Sequence, residues 1–250
     1  DYNSAAETYP INLNNIPCLN LLQTLTIRPA SNVTTPLLIT SSNATTTVDF
    51  NGGHFVTIDG RPGGNGSSIM LTIQNTLGTA PAVRFINDGS SNNLSYLDLQ
   101  SNNNGAILIT TVGIVLIVIT TGVQINDNNV IDHCIIHPVS GGNPVMCINS
   151  IGSSASPAQA NNNNTITSCS IFDYYNASLA TAGIYIGTGN AGWVIDNNHF
   201  YQTAPRAINA AVTNADLYLN AGSGIAGSGF VITNNLIGGN DSAGNGIYTM

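Results

Sequence analysis

Ile131-Asp-His-Cys-Ile-Ile-His137 is followed by three stretches of the same shape: Ile166-Thr-Ser-Cys-Ser-Ile-Phe172, Ile195-Asp-Asn-Asn-His-Phe-Tyr201 and Ile232-Thr-Asn-Asn-Leu-Ile-Gly238. Each has an apolar residue, then Asp or Thr, then two small or polar residues, then a second apolar position. Working outward, the opening pair recurs upstream as Leu97-Asp98, Ile58-Asp59 and Ile27-Arg28. The successive steps along the whole chain are then 31, 39, 34, 35, 29 and 37 residues. Recurrence at about 20 to 50 residues marks a stacked array rather than one globular core. A second apolar segment follows each of the last four copies, at Val145-Met-Cys-Ile148, Gly183-Ile-Tyr-Ile186, Arg206-Ala-Ile208 and Gly246-Ile-Tyr248. Each period therefore holds at least two short strands.

Helical repeats need roughly 10 or more residues of 3.6 periodicity, and none occur. Phe55-Val-Thr-Ile-Asp59, Ser95-Tyr-Leu-Asp-Leu99 and Trp193-Val-Ile-Asp196 are instead short, β-branched or aromatic, and bounded by Gly, Asn and Ser. The mainly apolar run Ala106 to Thr120 is too short for a bilayer and reads as one or two buried strands. The sequence thus predicts an all-β parallel β-helix of irregular coils, about 29–39 residues each, as one domain over residues 1–250. No signal peptide is visible, and the chain reads as part of a longer polypeptide.

Asparagine gives the coils a mechanism. It tolerates the left-handed backbone of tight turns, and its amide can bond the equivalent amide one coil away. The candidates for such ladders are Asn92-Asn93, Asn128-Asn129, Asn163-Asn164, Asn197-Asn198 and Asn234-Asn235, while Asn102 to Asn104 and Asn161 to Asn164 read as outward loops. Cys134 and Cys169 hold one place in successive repeats that Asn198 and Asn235 hold in the next two, as buried thiols or, with poor geometry, a bridge.

Charge narrows the partners. Only 6% of residues are charged, there is no Lys, and the formal net charge is −8, where charged residues ordinarily make up about a quarter. Nucleic acid and anionic membrane surfaces are disfavoured, since neither phosphate neutralisation nor steering is available. Neutral glycans, another surface protein or cations fit better.

Four places carry candidate chemistry. If the repeat register holds, the residue after each inward apolar one points outward, placing Asp59, Asp98 and Asp132 in one column. Carboxylates at about 4.8 Å spacing repel, so the column would raise a pKa, recruit Ca²⁺, or act as a glycoside-hydrolysing pair, unless unequal coils separate the Asp residues. Asp132, His133, Cys134 and His137 form a second cluster, but the remaining histidines, His54 and His199, fall in distant coils and leave zinc short of ligands. His54, Asp59 and Arg61 form a third, in which Arg61 is a candidate lyase base. The fourth is aromatic: Tyr185, Trp193 and Tyr201 are candidates for stacking on sugar, against an alternative as core members.

The segments Leu25-Thr-Ile-Arg-Pro29, Phe55-Val-Thr-Ile-Asp-Gly-Arg-Pro62, Ala82-Val-Arg-Phe-Ile-Asn87, Ser170-Ile-Phe-Asp-Tyr174 and Gly229-Phe-Val-Ile-Thr-Asn-Asn235 resemble the large secreted β-helix proteins of Bacteroidota. The resemblance implies a right-handed, pectate-lyase-like helix, export by a type IX route, and an extracellular or outer-surface location. It speaks to fold more than to chemistry. The expected function is a stiff adhesive rod displaying loops for glycan or partner contact. The alternatives are a polysaccharide lyase or hydrolase using Asp98, Asp132 or Arg61, and a subunit that self-associates along the solenoid axis.

Overall fold

The protein, described from a computed structural model over residues 6–106, 109–118, 125–153, 159–222 and 227–246, is a parallel β-solenoid. Three sheets run its length, each seven strands deep, and every strand pairs in parallel with its equivalents one coil before and after. Sheet one stacks β1 (Ile11–Asn12), β4 (Val48–Asn51), β7 (Val83–Ile86), β10 (Val115–Val118), β13 (Met146–Ile151), β17 (Thr181–Ile186) and β21 (Asn214–Leu219). Sheet two stacks β2 (Leu25–Ile27), β5 (Val56–Asp59), β8 (Asn93–Ser95), β11 (Val130–Asp132), β15 (Thr165–Thr167), β19 (Val194–Asp196) and β22 (Val231–Thr233). Sheet three stacks β3 (Leu37–Ser41), β6 (Leu71–Asn75), β9 (Asp98–Ser101), β12 (Ile135–His137), β16 (Ser170–Phe172), β20 (His199–Tyr201) and β23 (Leu236–Ile237). Strands β14 (Asn161–Asn162) and β18 (Asn190–Ala191) pair at the corner between sheets one and two.

Each sheet sends one continuous apolar column inward. In sheet two it is Ile27, Ile58, Leu94, Ile131, Ile166, Ile195 and Ile232. Sheet three contributes Ile39, Ile73, Leu99, Ile136, Ile171, Phe200 and Ile237. Sheet one contributes Ile11, Val48, Val83, Val115, Ile148, Ile184 and Leu217, with Phe50 and Phe85 stacked beside them at 4.5 Å. The interior members of these columns form a single core. The strands are too short to hold a sheet alone; burial of one face along all seven levels stabilises them together.

The corners obey a two-residue rule: the first residue takes a left-handed backbone and the second points inward. Between sheets two and three the first residues are Tyr96, His133, Ser168, Asn197 and Asn234, with φ from 51° to 56°. Their successors are Leu97, Cys134, Cys169, Asn198 and Asn235. Between sheets one and two, Ser91, Asn128 and Asn163 turn the chain, and Asn92, Asn129 and Asn164 follow. Both expected roles of asparagine are therefore present, divided between neighbours: in Asn128-Asn129, Asn163-Asn164, Asn197-Asn198 and Asn234-Asn235 the first makes the turn and the second faces inward, whereas at the expected pair Asn92-Asn93 the turn is made by Ser91, the ladder by Asn92, and Asn93 lies in β8. Asn129 Oδ1 accepts the main-chain N–H of Asn92 at 3.1 Å and its Nδ2 at 3.2 Å, while Asn164 Oδ1 accepts the N–H of Asn129 at 2.8 Å. Asn235 Oδ1 accepts the N–H and Nδ2 of Asn198, each at 3.0 Å.

Several expectations change. The repeat pair placed at Leu97-Asp98 belongs three residues earlier, since Leu94 and Ser95 align with Ile58-Asp59 and Ile131-Asp132. Asn161 and Asn164 are not outward loop residues but fully buried, and Asn103 is buried with its Nδ2 on the carbonyls of Thr111 and Gly113. Of the run Ala106 to Thr120, Val115–Val118 forms β10; residues 107, 108, 119 and 120 lie outside the described residues. Cys134, Cys147 and Cys169 are buried free thiols and Cys18 is an exposed one.

Candidate functional site

Strand geometry sends alternate residues of sheet three outward. One outward column reads Thr40, Gln74, Gln100, His137, Phe172 and Tyr201. The stacking of equivalent positions makes it a ladder. Thr40 Oγ1 donates to Gln74 Oε1 at 3.0 Å, and Gln74 Nε2 donates to Gln100 Oε1 at 2.9 Å. The rings of His137, Phe172 and Tyr201 then continue it face to face, with centroids 4.8 and 4.6 Å apart.

Asp98 is the hub where amides give way to rings. Its Oδ2 accepts Gln100 Nε2 at 2.7 Å and Thr72 Oγ1 at 3.2 Å, and its Oδ1 lies 3.0 Å from His137 Nε2. Beside His137 opens a cleft of about 590 Å³, lined by Pro138, Ser140 and Asn143 on one side and by Asp173, Thr203 and Arg206. Arg206 Nη2 donates to Asp173 Oδ1 at 2.7 Å, its Nε to Gln202 Oε1 at 3.1 Å and its Nη1 to Asn143 Oδ1 at 3.3 Å. Asp173 also takes the main-chain N–H and the hydroxyl of Thr203. Arg206, the guanidinium that lines the cleft, is thus committed to Asp173, and Asp98 is held by hydrogen bonds, so the cleft offers hydrogen-bonding groups without an unpaired guanidinium.

Burial affects Tyr201 strongly: desolvation, with the carboxylates of Asp173 and Asp241 adding to it, pushes its phenol up to about 12. The group stays a neutral donor at the edge of the ring stack. His199, beside it, places its two ring nitrogens 2.8 Å from the Ser242 carbonyl and 2.9 Å from that of Gly238.

The carboxylate column does not form as expected. Asp98 stands in sheet three, and Ser95 occupies the level between Asp59 and Asp132 in sheet two. Asp59 is further committed to Arg61, whose Nε and Nη2 reach its two oxygens at 2.9 and 2.8 Å. Burial raises the Asp59 carboxyl, but the hydrogen bonds and charge of Arg61, with the charge of Arg28, outweigh it and hold the group below the ordinary carboxylate range. The three Asp residues do not fit a shared Ca²⁺. Among the described residues no three His, Cys, Asp or Glu side chains gather to hold a metal.

Arg61 is equally unsuited to serve as a base. The Asp59 hydrogen bond raises its already high pKa, and its guanidinium lies 4.3 Å over Tyr96, which stacks at 4.6 Å on His133. Asp132 closes this corner by bonding His133 Nδ1 at 2.6 Å. His54 pairs instead with Asp88 at 3.7 Å.

Two of the proposed sugar-stacking rings are core members and the third is nearly so. Trp193 is fully buried, with its Nε1 donating to the Asn161 carbonyl at 2.9 Å. Tyr185 is buried against Tyr218 under the outer layer of sheet one. Tyr201 is buried too, with Phe172 stacked on one face and His199 tilted against it. Sequence reasoning missed Gln74, Gln100, Phe172, Asp173 and Arg206. The available signal was the third inward residue of each coil, from which the outward position lies one residue on.

Compared with protein-family models, curated proteins and solved structures, the chain matches none. No described helix is long and apolar enough to cross a membrane.

Proposed function

We propose that this chain is a rigid extracellular rod whose sheet-three cleft binds a neutral, hydroxyl-rich chain such as a glycan. The observation that carries the reading is the amide and ring ladder from Thr40 to Tyr201, running beside a cleft whose guanidinium is already paired with Asp173. Aligned amides and carboxylate oxygens satisfy hydroxyl groups without the unpaired cations that an anionic polymer needs. The rings serve as a stiff wall, since their mutual stacking leaves edges rather than faces for contact. An extracellular setting and export by a type IX route rest on the Bacteroidota resemblance.

The test is a panel of neutral and acidic polysaccharides offered to the purified chain by affinity electrophoresis. Retardation by a neutral polymer, weakened at least tenfold by Gln100→Leu or Asp98→Asn with unchanged thermal midpoint, is the expected result. Retardation by acidic polymers alone, or none at all, overturns the reading.

A second reading is catalytic. The Asp98–His137 pair, 3.0 Å apart at the edge of the cleft, has the geometry of an oriented imidazole acting as a general base. Polymer cleavage that is abolished by both Asp98→Asn and His137→Gln would favour this reading over simple binding.

A further inference from the structure

Four asparagines are followed by glycine: Asn51, Asn65, Asn104 and Asn245. In this dipeptide a main chain most readily attacks its own side chain, because a following residue without Cβ leaves its nitrogen open and lets the chain bend back. The rate then depends on how closely the fold holds the glycine nitrogen to the asparagine Cγ. The four pairs are held differently.

Three of them are committed elsewhere. Asn51 Oδ1 accepts Asn87 Nδ2 at 2.6 Å, and the Gly52 N–H is spent on the Ile86 carbonyl at 3.0 Å. Asn65 turns its amide back to the Gly63 carbonyl at 3.2 Å rather than forward to Gly66. The Asn245 amide donates to Asp241 Oδ2 at 3.0 Å. Asn104 is the one of the four folded onto its successor: the Gly105 N–H donates to Asn104 Oδ1 at 3.0 Å.

The backbone on both sides is pinned in that pose. Asn103 is buried with its Nδ2 on the carbonyls of Thr111 and Gly113 at 2.6 and 3.1 Å, and the Asn104 N–H reaches the Gly78 carbonyl at 3.2 Å. Gly105 lies so close to Val112 that a Cβ there would meet Val112 Cγ2 at 2.7 Å. The Asn104 side chain itself is exposed, so water reaches it. A rotation about its Cβ–Cγ bond presents the carbonyl carbon to a nitrogen already in place.

We propose that Asn104 is a site of spontaneous self-modification, with water as the only co-reactant. The Gly105 nitrogen gives up its proton to solvent and bonds Cγ of Asn104; the Cγ–Nδ2 bond breaks, ammonia leaves and a succinimide closes. One water then opens the ring at either carbonyl, giving aspartate or isoaspartate. The product adds a negative charge to a chain whose formal net charge is already −8. Isoaspartate also puts one more carbon into the main chain between two pinned neighbours, which loosens the hold of Asn103 on Thr111 and Gly113. The site is independent of the sheet-three cleft.

The native protein is to be aged in mildly alkaline buffer and digested for peptide mapping that separates aspartate from isoaspartate. Asn104 is expected to convert about tenfold faster than Asn51, with Asn65 and Asn245 also behind it. Ageing in urea is the control: once unfolded, the four dipeptides are chemically alike, and the lead of Asn104 is expected to vanish. Asn104→Gln lengthens an exposed side chain and disfavours ring closure, so the first acidic species seen on isoelectric focusing of the parent is expected to be missing from the variant. Native Asn104 converting no faster than Asn51, or overtaken by Asn65 or Asn245, overturns the proposal. A lead that survives in urea, or a first acidic species that persists in Asn104→Gln, overturns it as well.

Discussion

Asn129→Leu tests the ladder directly. The side chain has no exposed surface, and its Nδ2 donates to the Gly89 carbonyl at 2.8 Å while its Oδ1 accepts the main-chain N–H of Asn92. Leucine has a similar volume and bonds neither group. Two interior backbone groups are then left unpartnered, at about 1–3 kcal/mol each. Burial of the leucine returns part of this, about 1.5–3 kcal/mol at most. A net loss of about 2 kcal/mol is expected, lowering the urea midpoint by about 0.7 M for an m-value of roughly 3 kcal/mol/M. Hydrogen exchange should also accelerate at the Asn92 amide and stay slow two coils away. Asn128→Gly is the control, because Asn128 supplies the left-handed turn that glycine adopts without strain. A midpoint unchanged within error for Asn129→Leu, or an equal loss for Asn128→Gly, would refute the division of labour at the corner.

The remaining predictions concern single groups. Asp59→Asn should lower the thermal midpoint at neutral pH, and the difference from the parent should fade as pH falls below about 3.8: the folded-state pKa is depressed, so its stabilisation is present above the unfolded value and lost on acidification. Tyr201, raised to about 12, should make stability decline as pH rises from 10, because the unfolded phenol ionises first; Tyr201→Phe should flatten that slope in a Tm series. Of the four thiols, Cys18 alone should react with an aromatic disulfide reagent in the native state, since burial pushes Cys134 and Cys147 far above their ordinary value and encloses Cys169 as well. Trp193, the single tryptophan, should emit at short wavelength and resist acrylamide quenching until the chain unfolds.

Periodicity carried the architecture because one isoleucine per coil must point inward wherever the coils stack, and Ile131, Ile166, Ile195 and Ile232 keep that position whatever the loops do. It slipped at Leu97-Asp98 because that coil hides its corner: Tyr96 makes the turn that Asn makes only in the last two coils, and Leu94, Leu97 and Leu99 are all inward apolar residues. The three-residue slip removed Asp98 from its true place in sheet three and invented the carboxylate stripe. The cleft was harder to see, since Gln100, His137, Asp173 and Arg206 come from four successive coils and meet only through register and the loops after sheet three. Aromatic residues misled for a related reason. A solenoid stacks like upon like, so rings meant for the interior or for one another resemble, in sequence, a surface made for sugars.

The corner rule also bears on how such a rod carries load. Because amides such as those of Asn92, Asn129 and Asn164 tie adjacent coils at the vertices while three sheets tie them along the sides, tension applied from end to end is divided among several parallel links at every level. Rupture then begins at whichever junction has the fewest links and peels one coil at a time, giving a sawtooth of small extensions whose lengths follow the unequal coils rather than a single catastrophic release.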